Sequence, residues 1–283
     1  MKNLTSTILL AALFVGSFGT ASAQKGKKDP KDDPKYTNYY KDVEEALEAK
    51  EVTLEFTNGV SRLDMLKFKT KFTNNTNDFL LIAPSKFTIT GDGTKNNPKE
   101  KEFILDPNDK KSKTIDLKGK ENLRYDEFEV APEGFARISV DGTPVNMPEF
   151  QLPASVNNIE SGSFEVNLKR LKQETKETWA VFSIKYTGDD YAIIDPSRIS
   201  IKTEAGDQYA NEFRKSKTIL LEKGDSKTVN AVFHIPAKVV DMQFATLFIQ
   251  WGEAMTETKA EAFEIDESVT FELDETLTEE KNK

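Results

Sequence analysis

Residues 64–72 read DMLKFKTKF and residues 178–186 read TWAVFSIKY. In the first, Leu66, Phe68, Thr70 and Phe72 fall on one side of an extended chain, and Met65, Lys67, Lys69 and Lys71 on the other. In the second, Ala180, Phe182, Ile184 and Tyr186 take one side, and Trp179, Val181, Ser183 and Lys185 the other. A side-chain period of two marks a half-buried antiparallel strand. Both stretches therefore predict strands that rest one face on a core.

The likeness of the two stretches extends along the chain. Phe72 aligns with Tyr186, an offset of 114 residues, and the polar turn TNNTND (73–78) then matches the shorter TGDD (187–190). LIAPSKFTITG (81–91) matches IIDPSRISIKT (193–203), and SKTIDL (112–117) matches SKTVNA (226–231). FARISV (135–140) is read against FATLFI (244–249), and PEFQLP (148–153) against EAFEID (261–266). The offset shifts only at turns, where length is free to vary. Two copies of roughly 100 residues, each with about seven short strands between turn signals, predict an all-β chain of two tandem immunoglobulin-like antiparallel sandwiches. The boundaries fall at 51–153 and 154–273. A period this long, seen twice, argues against a solenoid.

The motif shared by FTNNTNDFLLIAPSKFTI and YTGDDYAIIDPSRISI is a strand ending in an aromatic residue, a polar turn, then an apolar strand leading to a Pro-Ser turn. In this the chain resembles bacterial extracytoplasmic immunoglobulin-like domains of uncharacterised function. The resemblance covers about the first half of each copy. It implies a fold and a compartment, and it carries no catalytic residues. Gly188 stands in the second copy where the pattern has asparagine.

Upstream of the repeats, Lys2 precedes the apolar run Ile8–Val15, and small residues end in Ala21-Ser22-Ala23. That order predicts a secretory signal peptide over 1–23 and an extracytoplasmic protein, periplasmic or secreted, with no membrane span after cleavage. Residues 24–50 are expected to form a charged linker and a short amphipathic helix, because Tyr40, Val43 and Leu47 recur at i, i+3 and i+7. The tail 274–283 is acidic and expected to fray. The chain has no cysteine, which removes disulfides and thiolate metal sites, so stability must come from hydrophobic cores. A formal charge of -9 argues against nucleic acid as a partner.

Catalytic chemistry finds little support. His234 is the single histidine, and neither a G-x-S-x-G nor a phosphate-binding glycine loop is present. Asp189 and Asp190 read as turn residues. Asp92, Asp106, Asn108 and Asp109 supply oxygen atoms of the kind calcium takes, but their spacing matches no loop motif. The expectation is a non-enzymatic binding, adaptor or structural protein of the cell envelope, with no cofactor and a protein partner. Trp179, Val181 and Phe248 are its candidate contact patch, provided their strands are neighbours. The alternative is a glycan or other anionic ligand held by Lys67, Lys69 and Lys71, although lysines on a strand also guard against aggregation. Loop residues Tyr125, Asp126 and Tyr191 are further candidates for contact.

Overall fold

The structure, a computed structural model, describes residues 31, 33–119, 122–214 and 216–283. The expected signal peptide and most of the expected charged linker lie outside them. Among the described residues the chain is all-β apart from short 3-10 turns and one terminal helix, and its sheets are antiparallel.

The first half contains β1 (Asn38–Tyr39), β2 (Leu47–Glu48), β3 (Val52–Arg62), β4 (Met65–Asn74), β5 (Phe79–Ile82) and β6 (Thr88–Gly91). It continues through β7 (Thr94–Asn96), β8 (Phe103–Leu105), β9 (Lys110–Lys118), β10 (Glu127–Ala131) and β11 (Phe135–Ile138). β12 (Thr143–Pro144) and β13 (Phe150–Leu152) lead into β14 (Asn158–Ser161), β15 (Phe164–Gln173) and β16 (Glu177–Tyr186). Next come β17 (Tyr191–Ile194), β18 (Ser200–Thr203), β19 (Gln208–Ala210), β20 (Ile219–Leu221) and β21 (Ser226–His234). The chain closes with β22 (Leu247–Gln250), β23 (Met255–Thr258), β24 (Ala260–Phe263), β25 (Val269–Glu272) and helix α1 (Glu275–Lys281).

These elements build two units of matching, sandwich-like design. In the first, the long strands β3, β4 and β9 make one layer, and Leu66, Phe68, Thr70 and Phe72 of β4 are buried from it. The facing layer has two four-stranded sheets, β25-β10-β6-β7 and β24-β11-β5-β8. Four chain segments thus cross it, each broken midway. One break is the 3-10 turn Pro84–Lys86, where proline fits the first turn because its missing N–H costs nothing there. The second unit repeats the plan with β15, β16 and β21 against β13-β22-β18-β19 and β12-β23-β17-β20. Its own break, Pro196–Arg198, is capped by Asp195, which accepts from the Ser197 N–H at 3.0 Å. The expected burial of Ala180, Phe182, Ile184 and Tyr186 is observed.

The departure at Gly188 has a local cause. A Cβ there would collide with the Tyr186 hydroxyl, a group that Phe72 lacks. The first copy can therefore carry Asn74, whose amide donates to the Asp78 and Asp106 carbonyls at 2.7 and 2.9 Å.

The sequence boundaries at 153/154 and 273 are corrected by the strand pairing. β24 pairs with β11, and β25 with β10, so residues 260–272 complete the first unit. β12 pairs with β23, and β13 with β22, so residues 143–152 complete the second. Each copy lends its last two strands to the other. Phe79 and Ile138 of the first unit also pack with Ile193 of the second, beside half-buried Leu81, Ile104, Tyr191 and Leu220. Those partners sit at matching strand positions, as in a two-fold interface written within one chain.

The pairing also corrects the register of the later matches. Val130 lies opposite Ile89, and Ile249 opposite Ile201, so β10 corresponds to β22 and β11 to β23. FARISV and FATLFI are therefore not counterparts, nor are PEFQLP and EAFEID.

The expected N-terminal helix is absent. Tyr40, Val43 and Leu47 do pack on the first core, but from extended chain. The Tyr40 ring enters between the layers, 4.8 Å from Phe128, and its hydroxyl donates to the Tyr125 carbonyl at 2.6 Å. Tertiary burial of that side chain overrides a helical spacing. The tail does not fray either. Asp274 caps α1 by accepting from the Leu277 N–H, and Thr278 and Asn282 bond to Tyr39 and Thr37.

Candidate functional surfaces

Lys67, Lys69 and Lys71 point outward from β4 into a layer that partly neutralises them. Lys71 forms an ion pair with Glu55 at 2.6 Å. Lys67 lies opposite Asp116, which also binds Lys118 at 2.6 Å. A hydrogen bond from Glu100 is the main reason the Asp116 carboxyl stays below its usual range, helped by Lys118. Burial pushes the Glu100 carboxyl up, and its contact with Asp116 adds to that. The two carboxyls are thus pushed in opposite directions, and of the two Glu100, the half-buried one, is the easier to protonate.

The equivalent face of the second unit differs in chemistry. Trp179, 37% exposed, lies between Lys172 of β15 and Val232 of β21, and its Nε1 donates to Asn230 Oδ1 at 3.3 Å. Half-buried Val181 is beside it on the same strand face. Phe248 is not. It belongs to β22 in the opposite layer, with Lys202 Nζ 5.6 Å from its ring centroid. The sequence-derived patch of Trp179, Val181 and Phe248 is thus split across two faces, because their strands are not neighbours.

The remaining sequence candidates are dispersed. His234 has Glu177 at 3.0 Å and Glu212 at 3.1 Å from its two ring nitrogens, on an exposed strand end. Asp189 pairs with Lys223 at 2.5 Å, a hydrogen bond that holds its carboxyl below the usual range. Asp190 lies 3.5 Å from Lys259. Both line an open groove of about 700 Å³ with Asp141, Tyr186, Glu257 and Glu261. Asp92 sits in the β6–β7 turn, while Asp106, Asn108 and Asp109 lie between β8 and β9, at the other end of that segment. Among the described residues, no three His, Asp or Glu side chains are arranged to hold a metal. Tyr125 is buried and Tyr191 belongs to the contact between units, so neither is a free loop tip; Asp126 is exposed.

Sequence reading missed the most exposed large apolar side chain among the described residues. Phe244 is 80% exposed and Val239 45%, both in the turns between β21 and β22. Counting back from the corrected pairs, Phe244 stands three residues before Leu247, as Tyr125 stands three before Phe128. Tyr125 is buried because Gly91 has no side chain, and a Cβ there would meet the ring. The second unit has Thr203 in place of Gly91, and its side chain is buried. The aromatic ring is displaced outward. A glycine in one copy facing a threonine in the other was the available signal, visible only in the correct register.

The fold and its surfaces define an all-β, sandwich-like protein of duplicated plan, with a lysine-bearing face on one unit and an aromatic face on the other. No family model matches the chain, and no curated protein is similar to it. No helix among the described residues is long and apolar enough to cross a membrane.

Proposed function

We propose that this chain is a non-enzymatic extracytoplasmic protein of the bacterial cell envelope, built from two tandem immunoglobulin-like sandwiches, that binds a protein partner. The observation that carries this reading is the grouping of exposed apolar side chains at one end of the second unit. Trp179 lies on the outward face there, and the loop with Val239 and Phe244 is tied to the same strand end. Exposed aromatic residues of this kind serve as anchors in recognition surfaces. The test is affinity purification of the mature protein from cross-linked native envelope. One dominant protein partner, diminished by Trp179→Ala without loss of folding, is the expected result. Absence of any enriched protein overturns the reading.

A second reading, an anionic polymer such as an acidic glycan on the first unit, is favoured by one observation. Lys67 and Lys69 are exposed and, among the described residues, form no ion pair within 4 Å. Binding to such a polymer should weaken steeply with salt, and salt-independent binding excludes it.

A further inference from the structure

The two units differ at one sheet edge. In the first, β1 pairs with β3 at Val60 and Ser61, and Tyr40 N–H donates to the Gly59 carbonyl at 3.0 Å. The same segment reaches the other layer, with Lys41 N–H donating to Glu272 and Asp274 N–H donating to Tyr39. An extended segment thus seals the gap between the layers, with the Tyr40 ring as its plug. In the second unit, Leu171 occupies the position of Ser61, since Leu66 and Ala180 are counterparts and face Ser61 and Leu171 respectively. There β14 pairs only with Phe164–Asn167, and one further bond joins Leu168 to Asn157. Among the described residues no strand lies outside Lys169–Gln173.

This open edge borders exposed apolar surface. Leu168, Leu171, Val240 and Ala245 remain half-buried against the core. The loop carrying Phe244 is held to the same end by Gln173 Nε2, which donates to the Met242 carbonyl at 3.0 Å. Arg170 and Lys172 lie opposite Val181 and Trp179, and therefore point outward with them, while Lys169 sits at the bulge. Lys169 and Arg170 form no ion pair within 4 Å among the described residues, and Lys172 has only the exposed Glu174, at 2.6 Å, to exchange, so this stretch of edge favours an acidic ligand.

We infer that the β15 edge from Lys169 to Gln173 takes an extended, acidic, aromatic-bearing segment of a partner protein as an added strand. Main-chain bonds would hold the segment, and alternate side chains would select it. The inward residues fill the gap that Tyr40 fills in the first unit, against Leu171 and Phe244. The outward residues are acidic and meet Arg170 and Lys172. This inference rests on the protein-binding reading above and names the partner's chemistry.

The test uses the whole mature chain and two fluorescein-labelled peptides, one alternating Asp or Glu with Tyr, the other alternating Lys with Tyr. The acidic peptide should bind, slow amide exchange at residues 169–173, and weaken as salt rises from about 50 to about 500 mM. Phe244→Ala, a change at an exposed site that leaves the core intact, should weaken it about tenfold. Arg170→Glu with Lys172→Glu should reverse the preference toward the lysine peptide. Equal binding of both peptides, unchanged exchange at β15, or a chain dimer occupying the same amides would each overturn the inference. If the acidic peptide fails while cross-linking still yields a partner, the inference falls and the binding reading stands. Loss of both overturns both.

Discussion

Val269 lies directly across the ladder from Val130, so a strand from the end of the chain completes the first unit. Phe271, two residues on, stacks on Phe128 with centroids 4.7 Å apart and planes within 12°. Removing residues 260–283 should therefore damage the unit farther away in sequence. Hydrogen exchange is expected to show β4 losing protection while β16 retains most of its own. Equal loss in both would mean that the units unfold as one body. For the point variant Phe271→Ala, urea unfolding should register a cost of about 3–5 kcal/mol, the range for a fully buried phenylalanine.

Gly91 is the seat of the Tyr125 ring. Gly91→Ala forces either the ring or the β6–β10 pairing to move, and should cost about 2–4 kcal/mol. Tyrosine fluorescence or near-UV dichroism would report whether the ring is expelled. A variant as stable as the parent would contradict the explanation given for the exposure of Phe244.

Tyr40 closes the first unit through its hydroxyl, which contacts Ser61 Oγ at 2.7 Å as well as the Tyr125 carbonyl. Tyr40→Phe keeps the ring but removes one of two donors to the buried Tyr125 carbonyl, the other being Asn38 Nδ2 at 2.9 Å, and takes the partner from Ser61 Oγ, so about 1 kcal/mol should be lost at neutral pH. Burial, the largest influence, pushes the Tyr40 phenol from 10.0 up to about 12. The folded state thus prefers the neutral phenol. That contribution is complete below pH 10 and disappears as pH rises through about 12. In denaturation curves taken across that window, the parent should lose stability relative to Tyr40→Phe. Parallel curves would refute the assignment.

Glu100 follows the same physical origin and the same sign at lower pH. Its carboxyl is raised by burial, so protonation favours the fold, and the benefit is lost as pH rises above the ordinary glutamate range. Its Oε1 accepts from the Asp116 N–H at 2.7 Å, a bond that glutamine can keep. Glu100→Gln should match the parent near pH 4 and melt higher at pH 7. A variant that melts lower at pH 7 would show that the ionised carboxylate is the stabilising form.

Much of the fold was legible because alternation is a local property. Leu66, Phe68 and Phe72, like Phe182, Ile184 and Tyr186, are buried where a period of two places them. The repeated Pro-Ser turns marked the kinks for the same reason. The segment from Tyr40 to Leu47 was legible only in part. Its apolar residues do pack on the first core, but spacing alone could not distinguish a helix from chain drawn out between two layers. Among the surface residues, Trp179 and Val181 share a face, whereas Phe248 does not, because outward direction follows from alternation and strand neighbours do not.

The amino-acid sequence by itself determined the strands, their inward faces and the duplication. Tertiary structure decided which unit each terminal strand completes. Val269 and Phe271 present the same apolar alternation as Phe150 and Leu152, and a backbone ladder does not distinguish between them. It also decided that Tyr125 is core and Phe244 is surface. That difference follows the exchange of Gly91, against which the Tyr125 ring packs, for Thr203 at the matching position, residues far from the aromatic in the chain that no local pattern links to it.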